Sequence, residues 1–438
     1  MYIHTASNLY TRQSKGSIIV EVTTNPVTGP IEPISNVNIT ISSISSDGTS
    51  TVVAELVTDS VGQTPVIELD APPIALSEIP ETVEAPYSTY KVEAISDDYV
   101  PVVITGTQVF SDTTSIQPII LTPTSPEVSD PFAMAMRADD EIEDIVIGPP
   151  VLFGDYPPKI PEAETKDINA SGFVVLDKVV VPQYIVVHDG SPNSSYAPTY
   201  TVPFRDYIKN VASSEIYPTW TTAAIKSNVI AIISFTLNRV YTEWYRNQGK
   251  NYTITSSTAF DHAFFYGRNI FDSISKIVDE VFDIYIKRPG LLQPLLAQYC
   301  DGRNVTCPGR MTQWGSQELG EQGLSAEAIL RYFYGNDIQI LSAPTVSGNP
   351  ESYPGSALRE GSTGAAVRTI QEQLNRISNN YPLIPKVASD GVFGPTTTEA
   401  VKVFQRVFHL TPDGVVGRDT WYKISSIYVA VTKIAELS

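Results

Sequence analysis

Few residues in this chain have both the type and the setting for chemistry, and Glu215 is the first of them. It stands at the joint of two apolar-faced segments. Phe204, Tyr207, Ile208, Val211 and Ala212 recur at helical spacing before it. Ile225, Val229, Ile232, Ile233, Leu237, Val240 and Trp244 do the same after it. Pro218 pushes Tyr217 out of helical geometry, so the first helix is expected to stop near Glu215. Thr221 or Thr222 is placed to cap the second. A carboxylate held between two buried helices can have a raised proton affinity and act as a general acid. The same pattern also fits an exposed glutamate that merely ends a helix. The remaining candidates are His188, His262, Cys300 and Cys307. The two cysteines either close a small disulfide loop or stay reduced. No CxxC or HxxxH spacing accompanies them, so no metal and no cofactor are expected.

These residues need elements to position them, and the chain supplies several. A length of 438 residues suggests about three domains. From about Lys15 to Pro123, seven short runs of alternating apolar residues are separated by Gly, Pro, Asn or Asp, as in GSIIVEV, NVNITIS and YKVEAIS. That pattern predicts an N-terminal all-β sandwich over 1–123, loosely similar to transthyretin-like sandwiches and without a catalytic cluster. Residues 124–165 are acidic and rich in proline (RADDEIEDIVIGPP, DYPPKIPEAE) and are expected to be an exposed, cleavable linker. Residues 166–343 mix strands and helices, predicting an α+β domain that holds Glu215. A second linker over 344–356 leads to a three-helix C-terminal module over 357–438. There SDGVFGPTTTEAVKVFQ is echoed by PDGVVGRDTWYKI, each with an Asp-Gly turn and a helix-capping Thr.

The net charge of −19 is not spread evenly. Residues 1–165 hold 24 Asp/Glu and 5 Lys/Arg, giving −19, and the rest hold 24 of each. So acidic an N-terminal part argues against nucleic acid as a partner. No apolar run reaches the ~18 residues of a membrane span. The N-terminus, MYIHTASNLYTRQSKG, has no apolar core and does not read as a secretory leader.

Two families are resembled. The C-terminal module resembles the first peptidoglycan-binding family, through Gly361–Gln371, Asp390–Gln405 and Asp413–Trp421. The central part resembles the SpoIID-like lytic transglycosylases. Val202, Pro203, Tyr207, Val211, Glu215 and Pro218 meet that family's V-P…Y…V…E-x-P pattern, with one extra residue before the proline, and Gln313-Trp314-Gly315 meets its Q-W-G. Two positions depart from the family: Ile233-Ser234 has no arginine, and His262 is followed by Ala263 rather than cysteine. The whole arrangement is similar to the clostridial spore cortex-lytic enzymes. The resemblance implies a zymogen stored in the spore and cut by a subtilisin-like germination protease, with cortex peptidoglycan as its substrate. It implies Glu215 as the acid that cleaves the bond between N-acetylmuramic acid and N-acetylglucosamine. Gln313, Trp314 and Gly315 would orient the sugars, with Trp314 against a ring face. Lys226, His262 and Tyr207 would give further support. An N-acetylmuramoyl-L-alanine amidase and a non-catalytic cortex-binding protein are the competing readings.

Overall fold

The computed structural model describes residues 14–24, 32–45, 48–80, 82–124, 142–153, 179–345, 357–408 and 410–417, with helical positions at 420, 421, 423, 424, 427 and 428. The seven N-terminal apolar runs are strands: β1 (Ser14–Thr24), β2 (Asn38–Ile44), β3 (Ser50–Val57), β4 (Ile67–Ala71), β5 (Ser88–Ile95), β6 (Val102–Val109) and β7 (Thr114–Leu121). Alternate side chains point into one core, Ile18, Val20 and Val22 on β1 facing Ile39, Ile41, Val92 and Ile104 on the other sheet.

Neither sheet is built from these strands alone. A strand within the acidic stretch, β8 (Glu143–Val146), joins β6 in parallel, giving the order β3-β2-β5-β6-β8. Residues 142–153 are therefore not the exposed linker that their acidity suggested. Their apolar residues decide the matter: Ile147, Val151 and Leu152 are buried, and that burial outweighs the unfavourable prolines beside them. Positions 125–141 and 154–165, where the activation cut was expected to fall, lie outside the described residues.

The central region begins with β9 (Tyr184–His188) and β10 (Thr199–Pro203), joined by β11 (Ile254–Thr255) in a small sheet. Pro203 opens α1 (Phe204–Glu215), and α2 (Thr222–Thr242) follows after Pro218. Thr221 caps α2, its hydroxyl accepting from the Ala224 N–H. Almost every side chain of α2 is buried, so it is a core helix rather than an amphipathic surface helix. Packed around it are α3 (Asp272–Val281), β13 (Ile284–Lys287), α4 (Gln313–Glu321) and α5 (Ala326–Tyr334). The two-residue strands β14 (Tyr299–Cys300) and β15 (Met311–Thr312) pair in parallel, and β13 pairs with β16 (Gln339–Ser342). Ser325 caps α5, its hydroxyl accepting from the Ala328 N–H.

The sandwich and the central region are stitched together. The central strand β12 (Ile270–Phe271) extends the sheet β12-β7-β1-β4. The Asn269 side chain pairs with the Gln108 backbone like a further strand residue, donating to its carbonyl at 2.9 Å and accepting from its N–H at 3.0 Å. Tyr87 and Phe110 of the sandwich share a core with Tyr217 and Phe271. Arg268, 1% exposed, lies in the seam, donating to the Ser213 carbonyl, the Gly148 carbonyl and Gln108 Oε1. Burial pushes its guanidinium down to about 9.

In the C-terminal module, α6 (Ala365–Ser378) and α7 (Pro395–Val407) each carry an inward glutamine that reads the following Asp-Gly turn. Gln371 bonds Asp390, the Gly391 N–H, the Val392 carbonyl and Thr397. Gln405 repeats this with Asp413, the Gly414 N–H, the Val415 carbonyl and Thr420. The sequence echo is thus one hydrogen-bonding device used twice. Val367, Ile370, Leu374, Phe393, Ala400, Phe404 and Trp421 form the core around it.

Candidate active site

Glu215 is the last residue of α1, and Ile216 leaves the helix in extended geometry, two residues before Pro218. The carboxylate is buried, at 1% exposure, so the surface-glutamate alternative does not hold. Oε1 accepts from the Ala263 N–H at 2.7 Å, and Oε2 accepts from the Tyr299 hydroxyl. The backbone carbonyl of Glu215 accepts from Gln313 Nε2 at 3.2 Å. Two segments distant in sequence therefore orient the carboxyl group, one through a backbone amide and one through a phenol, and a third holds the residue's backbone.

The expected companions divide into two groups. Tyr207, His262 and Gln313 gather at Glu215. The Tyr207 hydroxyl is 3.0 Å from His262 Nδ1, and the His262 ring stands between Phe235 and Tyr299, with centroids at 4.5 and 5.9 Å. Burial, then the Asp261 and Glu215 charges, hold the Tyr207 hydroxyl well above the usual phenol range, so it remains a proton donor. Trp314, Gly315 and Lys226 are used otherwise. Trp314 is buried against Trp220 and Tyr217, with centroids at 5.0 and 6.0 Å. Its ring face is not presented to a sugar, because indole burial in this aromatic core is the stronger demand. Gly315 serves packing: a Cβ there would fall 2.3 Å from Thr312 Oγ1 and 3.1 Å from the Phe333 ring. Lys226 pairs with Glu280 on the surface between α2 and α3.

Sequence reasoning missed Tyr299 and the Ala263 amide. A backbone donor leaves no mark in side-chain pattern, and Tyr299 meets Glu215 from 84 positions away. Its one signal was Cys300 beside it. Cys300 and Cys307 form a disulfide, which settles the redox alternative and takes both sulfurs out of any metal site. Among the described residues, no cluster of three or more His, Cys, Asp or Glu is placed to hold a metal ion. Asp301 braces the disulfide loop, its carboxylate accepting from the Asn304 and Val305 N–H groups at 2.8 and 2.9 Å, while its carbonyl accepts from the Trp314 N–H. The loop thereby fixes Tyr299 and the start of α4 together.

Chemically, the arrangement can hold one carboxyl group in a set orientation and pass a proton to or from it. It is also covered. Val151 packs with Ala263, Cys300 and Cys307, and its N–H donates to the Ser214 carbonyl at 2.9 Å. Beside it, Pro149, Pro150 and Val151 close one wall of a cavity of about 320 Å³, whose other walls include Asp189, Ser256, Ser257 and Phe264.

Known proteins match parts of this chain. The zinc D-Ala-D-Ala carboxypeptidase of Streptomyces albus G is 33% identical over 96 residues, covering 20% of this chain and 36% of that protein. The N-acetylmuramoyl-L-alanine amidase CwlL of Bacillus licheniformis is 25% identical over 203 residues, covering 46% and 53%. The chain thus spans between about a third and a half of the length of these relatives. Among solved structures, transthyretin from Sparus aurata (17% identical, TM-score 0.16, covering 25% of this chain and 90% of that one) overlays too loosely to carry an argument. One family match is specific: residues 363–424 fit the family described as a putative peptidoglycan binding domain.

Proposed function

We propose that this protein is the dormant form of an enzyme that degrades spore cortex peptidoglycan by lytic transglycosylation, with Glu215 as its acid and base. One observation carries the reading: a buried carboxyl group at the family's acid position, oriented by the Ala263 N–H and the Tyr299 hydroxyl. Glu215 protonates the glycosidic oxygen as the bond to C1 of the muramoyl residue breaks. The muramoyl C6 hydroxyl then attacks C1 and returns its proton to Glu215, closing a 1,6-anhydro ring. A glycosidase that admits external water uses two carboxylates; an internal nucleophile needs one. The peptidoglycan-binding match at residues 363–424 supports the substrate class.

Dormancy is supported by the burial of Glu215 and by Val151 lying against Ala263. A cut by a subtilisin-like protease within 124–165, in the spore, would release the N-terminal part and most of the −19 charge. The similarity to an amidase keeps a second reading in play, in which the bond cleaved is the muramoyl–alanine amide. Mass spectrometry of cortex treated with the cut protein separates the outcomes. Anhydro-muramoyl ends support the transglycosylase, freed stem peptides the amidase, and no products a binding protein. Unchanged anhydro product from a Glu215→Gln variant would overturn the role of Glu215.

A further inference from the structure

The segment Glu143–Val151 lies along residues 263–267 at a series of close contacts. Glu143 bonds the Tyr266 hydroxyl. Ile145 fills the space that a side chain at position 267 would need: a Cβ on Gly267 would fall 2.9 Å from Ile145 Cγ2. Gly148 sits on Phe265, where a Cβ would fall 3.0 Å from the ring. Val151 meets Ala263. The strap's own backbone is held mostly from the sandwich side, by the β6–β8 ladder, by the Ile147 N–H to the Thr105 carbonyl, and by Gln108 Nε2 to the Gly148 carbonyl. It thus belongs to the sandwich but covers the central region.

Beneath it runs a track of aromatic rings. Tyr266 stacks on Tyr200 at 4.2 Å, and Tyr200 lies 6.4 Å from Phe264. Phe264 stacks on Tyr207 at 5.9 Å, and Tyr207 bonds His262, which stacks on Tyr299, the partner of Glu215. Where the strap turns at Pro149–Val151, the cavity of about 320 Å³ adds Asp189, Ser256, Ser257 and Thr258 to one wall. That volume is within the range of small-ligand sites, about 300–1,000 Å³. Apolar ring faces beside hydroxyls and a carboxylate suit a pyranose, which offers C–H faces to aromatics and O–H and N–H donors at its rim.

We propose that the surface of Tyr200, Phe265, Tyr266, Asp189 and Ser257 is a groove for a β-1,4-linked N-acetylhexosamine chain leading to Glu215, and that the strap Glu143–Val151 occupies it in this form. This deepens the transglycosylase reading, on which only the placing of the reacting bond rests. The occupant is a saccharide because the chain already carries a peptidoglycan-binding module and because the track ends at the oriented carboxyl.

The test uses the full chain with Glu215→Gln, so that binding is read without turnover, and tetra-N-acetylchitotetraose as the probe. Hydrogen exchange over residues 254–267 reports this site apart from the C-terminal module. The strap in place should give no tetramer-dependent protection. Val151→Asp, which puts a charge into the apolar contact, should lift the strap and bring protection of 254–267. Adding Tyr266→Ala should then weaken tetramer binding about tenfold, the loss of one ring contact. Ile145→Asp lifts the strap at a different contact, and a cooperative melt qualifies whichever variant folds. A folded, strap-lifted protein with no protection in 254–267, or with binding indifferent to Tyr266→Ala, overturns the groove. The two readings fail separately. Tetramer protection with no anhydro product from the Val151→Asp protein carrying Glu215 keeps the groove and removes the reaction. Anhydro product at a rate indifferent to Tyr266→Ala does the reverse.

Discussion

At the scale of residues, Glu215 is held by groups that different substitutions can remove one at a time. Glu215→Gln keeps the shape, its amide oxygen can still accept from the Ala263 N–H and its NH2 can donate to the Tyr299 oxygen, but it cannot cycle a proton. Product release by the cut protein should fall by about 10²–10⁴-fold, with the melting curve little changed. Tyr299→Phe removes only the hydroxyl on Oε2. A bond to a charged group is worth about 1.5–3 kcal/mol, so a loss of roughly 10- to 100-fold in rate is expected, again in a folded protein, and steady-state assay on isolated cortex measures it. Helix spacing and Pro218 placed Glu215 at the end of its helix, and only the family resemblance, through positions such as Tyr207, singled it out as a candidate acid. It could not identify Tyr299 or the Ala263 amide, because those contacts are made by chain closure over 84 and 48 positions. Trp314 shows the opposite failure. Its type suggested a sugar platform, but its neighbours Trp220 and Tyr217 take it into the core.

At the scale of elements, local rules were legible wherever the determinant was local. Thr221, one of the two threonines placed to do so, caps its helix, and the seven apolar runs became strands. The acidic stretch was misread because composition averaged over it hid Ile145, Ile147 and Val151, the three residues that dock the strap. Glu143 on that strap is informative about pH. Burial raises its pKa above the usual 4.5, opposed in part by the Tyr266 hydrogen bond. A raised folded-state value means that its favourable contribution is complete below about 4.5 and lost as pH rises through the raised value. Above that range the strap carries a carboxylate at a poorly solvated place. Glu143→Gln should therefore slow exchange of the Val151 N–H at neutral pH and leave it unchanged in acid. Elsewhere, Gln371→Ala and Gln405→Ala should each destabilise the C-terminal module by about 1–3 kcal/mol, since each leaves buried turn groups without a partner. A lower melting transition for that module, with cortex cleavage chemistry intact, is the expected result.

At the scale of the whole molecule, the sandwich and the central region share sheets, a core and the buried Arg268. The proposed latency would follow from this construction, since the strap that packs on Ala263 is anchored in the part that carries the excess negative charge. Periodicity marked the seven N-terminal strands, whereas this interlocking rests on β12 and β8, two short strands that pair outside their own neighbourhoods. The intact chain should leave cortex unchanged, and cutting within 124–165 should release activity. Mass spectrometry of cortex digested with the cut protein beside its Glu215→Gln counterpart tests the proposed reaction. 1,6-Anhydro-muramoyl ends are expected from the first and almost none from the second. Freed stem peptides on intact glycan strands, or equal anhydro product from both proteins, would contradict it.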